Sequence, residues 1–165
     1  FYSTADFDEQ LVLQAGHDFA IGGEGLRLGG RVTQAWTRPA LGAAVPPVDA
    51  ETFFANVEAS YPFKRSQAAT LTGRAGFDYF NQRVEFNANP LSRDRLRVAY
   101  ARLDGEWQDM RGRGPGGTTA WRLGGSLEVR QGLDVFGASP DCSANPAVCA
   151  GAGVVPPSLI LGSPT

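Results

Sequence analysis

Residues 10–36 read QLVLQAGHDFAIGGEGLRLGGRVTQAW, two alternating runs on either side of a glycine-rich break. In the first run Leu11, Leu13, Ala15, His17, Phe19 and Ile21 share one face, and Gln10, Val12, Gln14, Gly16, Asp18 and Ala20 share the other. In the second run Leu26, Leu28, Gly30, Val32, Gln34 and Trp36 alternate with Arg27, Gly29, Arg31, Thr33 and Ala35. A side-chain period of two belongs to an extended strand, because successive Cβ atoms point to opposite faces. Gly22-Gly23-Glu24-Gly25 supplies the positive φ angles that a tight hairpin needs. The stretch therefore predicts an antiparallel hairpin with one apolar and one polar face.

The same pattern recurs downstream. A third strand is expected over about 52–63, with Phe53, Ala55, Val57, Ala59, Tyr61 and Phe63 on one face. A fourth runs from Leu71 to about Gln82, a fifth over about 96–108 and a sixth over about 121–136. Tight turns are expected after the first and third strands and a modest glycine-rich turn after the fifth. Longer loops are expected after the second, the fourth (with Asn89-Pro90) and the sixth. After Gly137 the composition turns to Pro, Gly, Ala and Ser, which divides the chain into a six-stranded segment over 1–137 and a long loop over 138–165.

Composition narrows the function classes. Of 165 residues 21 are glycine and 11 proline, without the three-residue period of collagen. Fifteen basic residues face 17 acidic ones with no run of like charge, so no nucleic-acid-binding surface is expected. No apolar run is long enough for a transmembrane helix, which needs about 20 residues. The chain begins at Phe1 without a leader pattern, which is read as a mature form or a piece of a larger protein. Cys142 and Cys149 have six residues between them and no histidine nearby, so a local disulfide in an oxidising compartment is expected over a zinc site. The lone histidine, His17, has no partner pattern of a base or ligand, and no nucleophile–base motif is present. Neither an enzyme activity nor a cofactor is expected.

Strand length then points to a membrane. The six strands span roughly 11–16 residues, whereas globular strands average about 5–6 and a tilted membrane-spanning strand needs about 9–11. Phe19, Tyr61, Phe63, Trp107 and Trp121 lie beside the short turns, and Trp36 and Tyr79 toward the opposite ends, like two interfacial aromatic girdles. The other face carries Arg27, Arg31, Glu58, Arg74, Asp78, Arg102, Asp104, Glu106, Arg122, Glu128 and Arg130, which are expected to line a wet pore of mixed charge. The fold class expected is all-β, an antiparallel meander forming part of a transmembrane barrel. Six strands are too few for closure, since the usual minimum is about eight and open edges in lipid leave unpaired backbone groups. A soluble lipocalin-like barrel has the same alternation with its apolar face inward, and a passive porin or receptor barrel has the same wall.

Four pieces add a family resemblance. They are Glu9-Gln10-Leu11-Val12-Leu13-Gln14 with Asp18-Phe19; Ala59-Ser60-Tyr61-Pro62-Phe63-Lys64-Arg65-Ser66; Leu96-Arg97-Val98 with Arg102-Leu103-Asp104-Gly105; and Leu127-Glu128-Val129-Arg130-Gln131-Gly132-Leu133-Asp134. In order and spacing they resemble barrel segments of the ShlB/FhaC/HecB family of haemolysin secretion/activation proteins, the outer-membrane transporters of two-partner secretion. The resemblance covers most of residues 7–137. It implies a sixteen-stranded, monomeric barrel in the outer membrane of a Gram-negative bacterium, with outer-membrane lipid around it. It also implies a large secreted haemolysin- or adhesin-like partner that crosses the lumen without ATP. That family's periplasmic POTRA domains and Val-Arg-Gly-Tyr pore-loop motif are not among these residues, so cargo docking and gating are assigned to no residue of this chain.

Overall fold

The computed structural model describes residues 2–3, 9–39, 46–109 and 121–140. Among the described residues seven strands occur in chain order: β1 (Tyr2–Ser3), β2 (Gln10–Ile21), β3 (Leu26–Thr37), β4 (Val48–Arg65), β5 (Ala69–Phe86), β6 (Asn89–Gln108) and β7 (Arg122–Gly132). They form one antiparallel sheet in which spatial order equals chain order, β1 through β7. The six long strands are those expected from the alternation; β1, a two-residue strand pairing with Leu11 and Val12, is an addition. Among the described residues β7 does not pair back onto β1 or β2, so the sheet is open.

Four strands and one connection differ from the sequence expectation. β4, β5 and β6 are longer, at 18, 18 and 20 residues. Their far ends carry polar residues on both faces (Asn81, Gln82, Arg83), so the alternation fades while the backbone ladder continues. The connection after β5 is a two-residue turn and not a longer loop. Asn87 and Ala88 both have positive φ, 50° and 60°, the geometry of a two-residue hairpin turn, and Pro90 sits at the second position of β6 beside an irregularity at Val84/Glu85. Short and long connections therefore do not alternate around this sheet, unlike the short turns and long outer loops of outer-membrane barrels.

β7 is shorter than expected. It stops at Gly132, and Leu133 makes a last rung to the Arg97 carbonyl at 2.8 Å. The chain then turns at Phe136 and Gly137, both with positive φ, and Ser139 returns to the Arg95 carbonyl at 2.8 Å. Residues 133–139 thus form a strap that leaves β6 and comes back to it.

A single layer has no dry core. Among the described residues only Ala69, Asp94 and Arg97 are buried. Large apolar side chains lie open instead: Val57 is 60 % exposed, Leu123 62 %, Leu127 68 % and Val129 65 %. An aqueous monomer buries such residues, because each costs about 1.5–3 kcal/mol when left in water.

Candidate functional site: the charged face

Register decides which side chains share a face. Arg27 pairs with Ser60, Ser60 with Arg74, Arg74 with Arg102 and Arg102 with Glu128, one row across five strands. The next row runs Asp18, Gly29, Glu58, Gly76, Tyr100, Arg130, and the one after it Gly16, Arg31, Asn56, Asp78, Val98, Gly132. Toward the 66–68 turn, Asp104 faces Ser126 and Glu106 faces Gly124, with Arg122 opposite Gln108 at the end. All eleven residues expected to share the polar face do share it.

Most of them are also joined. Arg74 reaches Glu58 at 3.5 Å and Asp104 at 3.3 Å. Arg102 reaches Asp104 at 2.7 Å and Glu128 at 3.5 Å. Arg130 bridges Glu128 and Asp78, giving one chain of charges over four strands. Arg27–Asp18 and Arg122–Glu106 are separate pairs toward the margins. Arg31 has no ion-pair partner among the described residues. The pairs are half exposed, so each contributes about 0.2–1 kcal/mol at most. Their main effect is to leave this face nearly neutral and strongly polar.

Three partners of these charges are not among the eleven expected residues: Tyr100, Asn56 and Asp18. Tyr100 donates its hydroxyl to Glu58 at 2.7 Å, and Asn56 donates to Asp78 at 2.7 Å and to the Tyr100 oxygen at 3.1 Å. Tyr100 lies flat across Gly76, where a Cβ would come within 2.5 Å of its ring. Asp18 completes the pair with Arg27. The signal was parity: Tyr100 shares the phase of Arg102 and Asp104. Together these side chains line a hollow of about 960 Å³. Among the described residues no cluster of His, Cys, Asp and Glu could hold a metal ion.

The opposite face is apolar over most of its height. On β5 it reads Ala69, Leu71, Gly73, Ala75, Phe77, Tyr79; on β6, from the same end, Trp107, Gly105, Leu103, Ala101, Ala99, with no charge until Arg97. Lys64, beside the 66–68 turn, is the charge at the near margin. Phe63 covers Gly73 and Trp107 covers Gly105, so these rings lie along the sheet near the turns. His17 sits on this face opposite Gly30, 6.2 Å from the Phe19 ring. Trp36 lies near the far end of β3, as expected, but Tyr79 does not lie at the end of β5: the strand runs on to Phe86. From Tyr79 onward the face becomes charged, with Arg97 opposite Tyr79, then Arg95 and Arg93 on β6 and Arg83 and Glu85 on β5.

Arg97 is the most buried residue of this face, at 1 % exposure. Its guanidinium stacks on Tyr79, 3.5 Å from the ring centre. It donates to the carbonyls of Phe80 and Leu96 at 2.8 Å, to Asn81 Oδ1 at 2.9 Å and to the Phe136 carbonyl at 3.3 Å. The last bond pins the 133–139 strap over it, with the Phe136 ring edge-on to Phe77 at 6.2 Å. The expected disulfide of Cys142 and Cys149, and all but three residues of the expected loop over 138–165, lie outside the described residues.

Compared with known proteins, the chain matches no family model, no curated protein and no solved structure.

Proposed function

We propose that this sheet is part of the wall of an outer-membrane barrel, with the apolar face against lipid and the charged face toward a water-filled lumen. The observation that carries this reading is the segregation on the apolar face: apart from Lys64 at the turn end and Arg97 buried under the strap, uncharged through the Tyr79 row, then openly charged beyond it. From Ala69 to Tyr79 is ten residue steps, about 34 Å along a strand and about 25 Å of depth at the usual tilt, the height of a barrel's lipid-facing band. A soluble barrel with this face inward would bring Arg93 and Arg95 into its interior, and burying charge without partners is costly.

Within that class we favour secretion of a large partner protein, on the strength of the resemblance to the haemolysin secretion/activation family. The network from Glu58 through Arg74, Asp104, Arg102, Glu128 and Arg130 to Asp78 suits this task. Its charges already satisfy one another, so an extended polypeptide passes without a deep electrostatic minimum. The test is disruption of the gene in its host. Loss of one very large protein from the medium, with uptake of small solutes unchanged, is expected. Unchanged secretion with reduced solute flux would replace this reading with a passive porin.

A further inference from the structure

From the arginines at the far end of the apolar face, we infer a binding site for the phosphate group of a membrane lipid; the inference rests on the membrane reading above. Arg93 and Arg83 stand directly opposite each other on β6 and β5, and Arg95 follows on the same face. Like charges in register on neighbouring strands repel. The charged face contains the same motif, Arg74 opposite Arg102, and there Asp104 lies between the two, 3.3 and 2.7 Å away. The Arg83–Arg93 pair has no such anion between its members.

The carboxylates of this margin are already engaged on β4 and β5. Asp49 is held by Arg38, Glu51 accepts from Gln34 at 2.9 Å, and Glu85 pairs with Arg83. Arg93 and Arg95 have no ion-pair partner among the described residues; Arg93 is exposed, and the Arg95 guanidinium donates to the Gly137 carbonyl at 3.3 Å. The surplus positive charge is therefore confined to β6, next to the strap.

Its position selects the anion. The arginines stand just past Tyr79, where the uncharged band ends, which is headgroup height in a bilayer. Below them on the same face is an apolar groove of about 450 Å³, floored by Ala59, Ala75 and Ala101 and walled by Leu103 and Leu127. From Arg95 to Ala101 is six residue steps, about 20 Å along the strand and about 15 Å of depth, half a hydrocarbon core. The arginines and the groove thus lie on the same face on either side of the strap, an anion site and an apolar surface for its acyl chain. A free anion would make no use of the groove.

The test is lipid selectivity of the full-length gene product reconstituted in phosphatidylcholine vesicles. Spin-labelled phosphatidic acid and phosphatidylcholine are compared through the motionally restricted part of their spectra. A basic residue near the surface is worth about fivefold in anionic-lipid binding, so a preference of roughly fivefold or more is expected for phosphatidic acid. Arg93→Gln with Arg95→Gln should bring it to parity, and the double Lys variant should retain most of it. Lys64→Gln with Arg65→Gln removes two charges at the other end and should leave the preference standing. Where the double Gln variant does not assemble, Arg93→Gln alone should still reduce the preference, because its side chain holds nothing else in place. Persistence of the preference in the Gln variants overturns the inference. So does its loss to excess inorganic phosphate at constant ionic strength, which marks a free-anion site. A wild-type protein restricting neither lipid defeats the membrane reading and this inference together.

Discussion

Single residues carry two separate loads in this sheet. Arg97 is the anchor of the strap: its bond to the Phe136 carbonyl ties residues 133–139 to β6. Replacing it by Leu should release the strap while leaving the β6–β7 ladder intact. Amide exchange would show this as faster exchange at Leu133 and Ser139, which donate to the Arg97 and Arg95 carbonyls, with Leu123 to Val129 unchanged. Equal loss of protection at both places would mean that Arg97 supports the whole edge. On the charged face, Arg102 and Asp104 are 2.7 Å apart but half open to solvent. A double-mutant cycle on that pair should give a coupling of only about 0.2–1 kcal/mol. A much larger value would require a drier surrounding than this face provides.

The elements show where alternation is informative and where it fails. β2 and β3 follow their expected bounds closely because both faces have distinct chemistry along the whole length. The parity of Arg74, Asp78, Arg102, Asp104, Glu128 and Arg130 was enough to place them on one face, since a one-residue slip would move all of them at once. The upper halves of β5 and β6 were not legible, because polar residues occur there on both faces. Their turn was hidden as well, because Ala88 adopts a positive φ without being glycine. That conformation costs a Cβ-bearing residue about 1 kcal/mol, so Ala88→Gly should raise stability by about that amount in urea unfolding. A loss of stability would mean that the Ala88 methyl group makes a compensating contact. The burial of Arg97 had no sequence signal at all: an arginine in the phase of Ala99 and Ala101 reads as an exception until the strap is seen to cover it.

At the scale of the molecule, the two faces make opposite demands on their surroundings. Leu127 lies in the middle of the apolar face and Ser126, its neighbour, on the charged one. Leu127→Arg should cost roughly 2–4 kcal/mol in a bilayer, whereas Ser126→Arg should cost little, as read from folding titrations into lipid vesicles. Equal effects at both positions would contradict a lipid-facing apolar side. Strand order equal to chain order has a consequence for how such a wall is inherited. Each strand rests only on its neighbours along the chain, so a copied or lost pair of strands changes the width of the sheet without rethreading anything. Two strands at a time also preserves which end of each strand points up and which face is charged. A lineage of such walls is thus free to widen or narrow in steps of one hairpin, while a single-strand step would reverse the direction of every strand that follows.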